Sequence, residues 1–253
     1  MPKFFTEKNN INLDDKKIFL DEETSHHVIK VLRYKTGDKL EATCGDMIDY
    51  DCIISSIENN KVILDIIGEK ENNSEFPFEV NLYQGIAKGD KMDNIIQKST
   101  ELGITNIIPT ETKFTVVKLS DEKSDKKIDR WNKIAKEAAK QSERGMMPLV
   151  KSPMTFKKAI DECIENESLT MVCYGREDHY NLKNFFNDNN VNKDNIKNIK
   201  SISFFIGPEG GFSTEEIDYA KEKGATIVSL GDRILRTETA SIAMLSMLCY
   251  ELF

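Results

Sequence analysis

The sequence predicts an α/β protein in which a small β-rich domain precedes a larger domain of alternating strands and helices. The first seventy residues contain short β-branched segments separated by turn signals, and from Glu79 onward strand and helix patterns alternate. At 253 residues the chain has room for two modest domains. The polar stretch Glu69–Pro77 reads as a linker. We therefore assign residues 1–72 to the first domain and residues 73–253 to the second.

The β-rich part is predicted from three segments that are rich in β-branched residues: Lys39–Thr43, Met47–Ser56 and Lys61–Ile67. Gly45-Asp46 and Asn59-Asn60 are turn signals between them, which favours the hairpins of a small barrel or sandwich. One helical patch is expected at Ser25–Leu32, because its apolar residues recur at helical spacing.

The second part is predicted from alternating patterns. Strands are expected at Val80–Ala87, Ile104–Pro109, Leu169–Tyr174, Ile202–Ile206 and Ala225–Leu230. Helices are expected at Asp90–Leu102, Lys127–Arg144, Thr155–Asn166, from a capping box at Ser213–Glu216 to Gly224, and at Glu238–Leu252. Such alternation is typical of a mostly parallel sheet covered on both faces. The Asn- and Lys-rich stretch Asp188–Lys200 is expected to be a surface loop.

Composition excludes several classes of protein. The five cysteines are scattered without a CxxC pair, which indicates a reducing, cytoplasmic location and argues against a disulfide framework. With three histidines, a histidine-rich metal site is not expected, and we predict no metal. The longest apolar stretch, Ala240–Tyr250, is too short to span a bilayer. The first residues lack the apolar core of a signal peptide.

The net charge of −8 argues at first against a nucleic-acid partner, but the charge is unevenly distributed. Residues 81–151 hold 14 basic and 10 acidic side chains, whereas the flanking segments are acidic. Clustered Lys and Arg contact phosphate backbones without needing any particular spacing. The alternative is that these lysines lie on solvated helix faces.

Two glycine-containing loops carry the strongest local signals. Phe205–Ser213 is the end of an apolar strand, a loop with three glycines and a helix start, and Leu230–Ala240 leads from a strand through a polar loop into the last helix. In open α/β sheets ligands bind at the carboxyl ends of strands. A tight turn without a ligand, and simple capping by Glu238 and Thr239, are the alternatives. Neither loop matches the dinucleotide or phosphate-loop fingerprints.

A third motif is basic, and together the motifs resemble one family. The motifs are Lys88–Asp93, Gln97–Gly103, Glu137–Arg144, Ile206–Gly211 and Leu230–Ala240, with His27–Arg33 near the start. Their order and their residues closely resemble those of the ribosomal RNA small subunit methyltransferase E family. Members of this family are 16S rRNA uridine-N3 methyltransferases of the SPOUT superfamily. The chain departs from the family pattern at Lys3 and within Glu111–Phe114, where arginine is usual.

The resemblance implies a PUA-like β-barrel that helps to hold RNA, followed by a SPOUT α/β domain whose C-terminal end is threaded into a trefoil knot. It also implies a homodimer and the cofactor S-adenosylmethionine, bound by loops that follow three strands. The implied cofactor-binding residues are Tyr174, Gly175, Ile206, Gly207, Pro208, Gly210, Gly211, Leu230, Gly231, Arg233, Ile234, Leu235 and Thr239.

The implied reaction is methylation of uridine N3 in the 16S rRNA of the small ribosomal subunit. N3 carries a proton and attacks poorly until that proton is lost. We assign Arg236 to a uracil carbonyl, where it stabilises developing negative charge, and Glu238 or Glu209 to accepting the proton or orienting Arg236. The residues assigned to RNA binding are Arg33, Lys88, Lys91, Lys98 and Arg144.

Three other functions are open at this point. The chain could be a SPOUT methyltransferase acting elsewhere, for example on ribose 2′-O. It could be a non-catalytic RNA-binding factor, although it retains both loop motifs. A nucleotide-dependent oxidoreductase is suggested only by the α/β alternation and lacks the expected fingerprints.

Overall fold

The computed structural model describes residues 2–116, 121–175 and 180–253, and the chain divides into two compact units. The first comprises Met1–Glu75 and Ala139–Met147, and the second comprises Phe76–Ala138 and Pro148–Phe253. The predicted boundary between residues 72 and 73 divides the linear sequence and stays a prediction. The nine residues Ala139–Met147, from the middle of the chain, also belong to the first unit, and no local sequence pattern predicts this.

A curled six-stranded sheet forms the first unit. Its strands are β1 (Lys3–Phe5), β2 (Ile11–Asn12), β3 (Lys17–Phe19), β4 (Lys39–Thr43), β5 (Ile48–Glu58) and β6 (Lys61–Glu71). They run in the order β1-β4-β5-β6-β3-β2, and the only parallel pair among the described strands of this sheet is β1 with β4. Buried side chains such as Ile18, Leu40 and Leu64 form its core.

The helical patch of the first unit has two parts. Helix α1 (Glu22–His26) begins at Asp21, whose carboxylate accepts the Thr24 N–H, and continues into a π-helical turn at His27–Val31. The predicted helical patch is therefore correct in place, although it begins earlier than expected.

The predicted linker Glu69–Pro77 is wrong in its first part, because β6 continues to Glu71. The next residues are also anchored. Asn72 donates to the carboxylate of Asp49 over 2.9 Å, and Glu75 is 6% exposed. Polar composition suggested a solvated link, but these polar groups are buried because each has a hydrogen-bond partner.

A parallel sheet forms the second unit, as predicted. Its strands are β7 (Glu79–Gly85), β8 (Asn106–Glu111), β9 (Leu149–Val150), β10 (Met154–Thr155), β11 (Leu169–Cys173), β12 (Ser201–Ile206) and β13 (Thr226–Val228). The order is β10-β8-β7-β12-β11-β13, with β9 also paired to β8. All these pairings are parallel, so the carboxyl ends of β7, β11, β12 and β13 lie at one edge.

Helices cover both faces of this sheet. They are α2 (Lys91–Glu101), α3 (Asp121–Gln141), α4 (Phe156–Glu165), α5 (Leu182–Asp188), α6 (Thr214–Lys223) and α7 (Thr237–Leu252). Ser213 and Glu216 form the predicted capping box of α6, and Gly224 ends that helix in the left-handed conformation. Helix α5 was not predicted, and the expected loop after it buries Val191 and Ile199. Among the helices that the structure describes, no candidate for a membrane-spanning segment is found.

Candidate active site

An open cavity of about 810 Å³ lies at the carboxyl ends of β11, β12 and β13. Its walls are the loops that follow Cys173, Ile206 and Val228, the last residues of those three strands. The volume is in the range of roughly 300–1,000 Å³ that is usual for small-molecule sites. Its place at the ends of parallel strands is where ligands bind in open α/β sheets.

The loop after β12 approaches its neighbours too closely for side chains at two positions. A Cβ atom on Gly85, at the end of β7, would lie 2.4 Å from Cδ of Pro208. A Cβ on Gly207 would lie 2.9 Å from Cα of Gly211. Glycine is therefore required at both positions for the loop to fold back beside β7 and leave the cavity open.

The loop after β13 leads into α7 and brings Arg236 to the cavity. Arg236 is exposed and adopts extended backbone geometry directly before the helix. The hydroxyl of the next residue, Thr237, donates to the carbonyl of Gly207 over 2.7 Å, which ties the two loops together. Ile234, in the same loop, lines the cavity and is 87% exposed.

Two glutamates lie near one lysine beside the cavity. Oε1 of Glu209 accepts from Nζ of Lys91 over 2.8 Å and from the backbone N–H of Lys88 over 3.1 Å. Nζ of Lys91 also lies 4.0 Å from Oε2 of Glu238, which is buried and has no hydrogen-bond partner among the described residues. Burial raises the pKa of Glu209, but the hydrogen bonds from Lys91 and from backbone amides outweigh it, so the pKa falls below its ordinary value.

Two further titratable side chains line the cavity. Burial raises the pKa of the Cys173 thiol to about 12. Glu215 lies in the first turn of α6, where its own backbone N–H, the Ser213 hydroxyl and Lys113 lower its pKa to about 2. The cavity therefore carries ionised carboxylates and a protonated thiol at neutral pH.

Comparison with known proteins identifies the family. Residues 74–249 match a family of RNA methyltransferase domains, and residues 20–67 match a family of RNA methyltransferase PUA domains. A ribosomal RNA small subunit methyltransferase E of Bacillus subtilis is 33% identical over 252 residues, which cover 99% of this chain and 97% of the relative. The chain belongs to the ribosomal RNA small subunit methyltransferase E family.

Solved structures of similar proteins agree with this membership. A ribosomal RNA small subunit methyltransferase E of Neisseria gonorrhoeae bound to S-adenosylmethionine is 28% identical, with a TM-score of 0.84 over 100% of this chain and 98% of that one. A protein of Legionella pneumophila in complex with the same cofactor is 30% identical, with a TM-score of 0.81 over 99% and 97%. The predicted order, a PUA domain before an α/β RNA methyltransferase domain, is confirmed. The SPOUT superfamily stays a prediction. The knot itself stays a prediction.

Most of the predicted site residues line the cavity at the ends of β11, β12 and β13. They are Tyr174, Gly175, Ile206, Gly207, Pro208, Gly210, Gly211, Leu230, Gly231, Arg233, Ile234 and Leu235, together with Lys91, Glu209 and Arg236. Thr239 and Glu238 are not among its lining residues, although Glu238 lies near Lys91. Proximity is thus established by the structure, whereas the assigned roles stay predictions.

The five residues assigned to RNA binding differ in environment. Arg33 and Lys88 are exposed. Lys91 is engaged by Glu209, and Lys98 pairs with Glu101 over 2.8 Å on the same helix. The positive charges of Lys91 and Lys98 are therefore neutralised locally, which the net charge of the segment does not reveal.

Arg144 requires a correction, because it is buried in the first unit with 3% of its side chain exposed. Its Nε and Nη2 donate to the two carboxylate oxygens of Glu75 over 2.7 and 2.6 Å. The backbone N–H groups of Gly145 and Met146 donate to the same carboxylate. A guanidinium committed in this way is a structural group, so we no longer assign Arg144 to RNA.

Sequence reasoning missed part of the cavity wall. Phe114, Thr214 and Glu215 line the cavity together with Lys113. Lys113 and Phe114 follow Glu111, the last residue of β8, and β8 is parallel to β7. The rule that parallel strands end at one edge of a sheet was the available signal for these two residues.

Proposed function

We propose that the chain is an S-adenosylmethionine-dependent methyltransferase that methylates N3 of one uridine in the 16S rRNA of the small ribosomal subunit. The observation that carries this proposal is the cavity, which brings Arg236 together with the glycine loop and the loops after β11 and β13. Family membership and the cofactor held by similar proteins support the choice of chemistry.

The cavity fits the cofactor by the character of its walls. Glycines at positions 207, 210, 211 and 231 expose backbone to a ligand, and Ile206, Leu230 and Leu235 add apolar surface. When bound, S-adenosylmethionine supplies a methyl group that is already activated by its sulfonium.

Arg236 stabilises the uridine as its N3 proton leaves. Its side chain carries several N–H donors in a planar fork and is always charged, so it can bond a uracil carbonyl on which negative charge develops. Its exposure at the cavity leaves the fork available to RNA. Such charge stabilisation contributes roughly a hundredfold or more to rate.

The two glutamates serve different purposes in this proposal. Glu209 is engaged by Lys91 and the Lys88 amide, and its lowered pKa makes it a weak base. Glu238 keeps a buried oxygen without a hydrogen-bond partner among the described residues. We therefore assign proton acceptance to Glu238 and the ordering of Lys91 and the loop to Glu209.

The target base must be unpaired, because pairing engages N3. A structured region of the small subunit can present such a base, and this also implies a cytoplasmic location, in keeping with the five free cysteines. We further propose a homodimer. Tyr250 and Met247 on α7 are 88% and 40% exposed, and burial of such side chains would stabilise a second copy on this helix.

The deciding experiment measures methyl transfer to small-subunit rRNA and identifies the product by mass spectrometry of nucleosides. In Arg236→Ala we expect at least about a hundredfold loss of rate with unchanged cofactor affinity. Arg130→Ala, which removes an arginine that pairs with Asp93 outside the cavity lining, is the matched control. An active Arg236→Ala enzyme would remove the assignment, and 2′-O-methylated product would replace N3 chemistry with ribose chemistry.

A further inference from the structure

A buried chain of polar side chains lies beneath the cavity, at the end of the central strand β7. Gln84 and Ser241 are 0% exposed and Thr237 is 6% exposed. These groups come from β7 and from the first two turns of α7. Buried polar groups without partners are costly, so a complete network here indicates a specific arrangement.

The orientation of the Gln84 amide is fixed by its partners. Its Nε2 donates over 2.9 Å to the carbonyl of Gly85, which can only accept. Its Oε1 accepts from the hydroxyl of Ser241 over 2.7 Å. The nitrogen side of the amide therefore faces Thr237, and Nε2 donates to the Thr237 hydroxyl over 2.8 Å.

This orientation decides where the Thr237 proton goes. A hydroxyl has one proton, and the oxygen of Thr237 already accepts from Gln84. Its proton is therefore directed to the carbonyl of Gly207, 2.7 Å away. Gly207 opens the glycine loop, and Thr237 directly follows Arg236.

We propose that Gln84 is a positioning residue that, through Thr237, holds the glycine loop and the segment containing Arg236 in a fixed arrangement. Gln84 is not itself a cavity-lining residue, and it acts through Thr237, which lines the cavity, by setting the direction of the Thr237–Gly207 hydrogen bond. The inference deepens the proposed function and rests on it, because the two segments joined are those assigned to the cofactor and to the uracil.

Gln84→Glu tests the direction of the bond with little change of shape. A carboxylate accepts instead of donating, so Thr237 turns its proton toward it and the Gly207 carbonyl loses its partner. We expect hydrogen exchange in peptides covering residues 207–212 and 236–241 to accelerate together in the cofactor-free protein. Cofactor affinity, measured by calorimetry, should fall about tenfold, while the KM for RNA holds.

Acidification and hydroxyl variants provide the second readout. Protonation of the introduced carboxyl restores a donor, so the cofactor affinity of Gln84→Glu should recover as the pH falls, whereas that of Gln84→Met should not. Thr237→Ser keeps the hydroxyl and should keep hydrogen exchange in the two peptides slow, whereas Thr237→Val should accelerate it as Gln84→Met does. If Gln84→Met fails to fold, Thr237→Val carries the comparison.

Asn81→Leu is the matched control, because Asn81 is a buried amide on the same strand whose partners are Asn106 and Ser203. Asn81→Leu should lower the free energy of unfolding without accelerating hydrogen exchange in the two peptides together. Equal effects of Asn81→Leu and Gln84→Glu, or separate acceleration of the two peptides, would overturn the inference. The exchange readout needs no cofactor, so it tests the network even if the wild-type protein binds no S-adenosylmethionine and the proposed function fails.

Discussion

Two glutamate–cation pairs of the molecule have the same chemistry in contrasting surroundings. In the first unit, Glu75 and Arg144 expose 1% and 3% of their side chains, and four N–H donors surround one carboxylate. In the second unit, Glu209 and Lys91 expose 32% and 34%, beside a cavity. Nearby, one oxygen of Glu238 has no hydrogen-bond partner among the described residues.

The difference separates a structural ion pair from one that can take part in binding. A buried ion pair whose carboxylate oxygens are all hydrogen-bonded can neither exchange partners nor reach a ligand. Removing one member leaves the charge of the other buried without compensation. A partly exposed pair such as Glu209 and Lys91 contributes little to the free energy of folding, but it can rearrange when a charged ligand binds. Saturation of the carboxylate, rather than the presence of charge, therefore indicates which cluster belongs to the site.

The largest expected effect comes from breaking the saturated pair. Glu75→Gln or Arg144→Met should lower the free energy of unfolding by about 3–5 kcal/mol, because the partner charge stays buried without compensation. Thermal and denaturant unfolding measure this loss, with Glu143→Gln, an exposed carboxylate in the same unit, as control. A loss below about 1 kcal/mol would place the pair with ordinary surface pairs and remove the contrast.

The second effect separates the two glutamates of the site. Glu238→Gln should reduce methyl transfer about a hundredfold, in the range of general-base catalysis, whereas Glu209→Gln should reduce it less than about tenfold. Single-turnover rates at saturating cofactor and RNA provide the measurement. The reverse order of effects would make Glu209 the proton acceptor in spite of its lowered pKa.

The third effect concerns pH and the exposed pair. The pKa of Glu209 is lower in the folded chain than its ordinary value, so its stabilising contribution exists above the ordinary pKa and is lost as the pH falls through the lowered one. Lys91→Met should therefore cost less than about 1 kcal/mol at neutral pH and nothing in acid. Unfolding curves across pH test this, and a difference that persists in acid contradicts it.

The smallest effect distinguishes a free lysine from a paired one in RNA binding. Charge reversal at exposed Lys88 should weaken rRNA binding and reduce the slope of log affinity against log salt by roughly one unit. Lys98→Glu, which alters a lysine already paired with Glu101, is the matched comparison and should change the slope less. Equal slopes for wild type and Lys88→Glu would show that Lys88 is a solvated loop residue that makes no RNA contact.

Much of the architecture could be predicted because its signals are local. Strand Lys39–Thr43 has the predicted bounds, and the capping box of Ser213 and Glu216 depends on residues three positions apart. The glycine loops could also be predicted, since glycines between a strand and a helix indicate a loop whose backbone lies close to its neighbours. Parallel pairing then brings these loops together at one edge without further information.

The remaining features depend on partners that are distant in sequence. Glu75 looked like part of a linker and Arg144 like an RNA contact, yet they bind each other across 69 positions. Likewise, nothing near Gln84 shows that its amide meets Thr237, 153 positions away. Composition and periodicity report on neighbours along the chain, so long-range polar pairing escapes them.

The raised pKa of the Cys173 thiol bears on the durability of the proposed enzyme. A thiolate is the form in which cysteine attacks electrophiles, and a methyl donor held in the cavity is an electrophile. With a pKa of about 12, only about one thiol in 10⁵ is ionised at neutral pH. The raised pKa would therefore protect Cys173, which lines the cavity, from alkylation by a bound methyl donor over many turnovers.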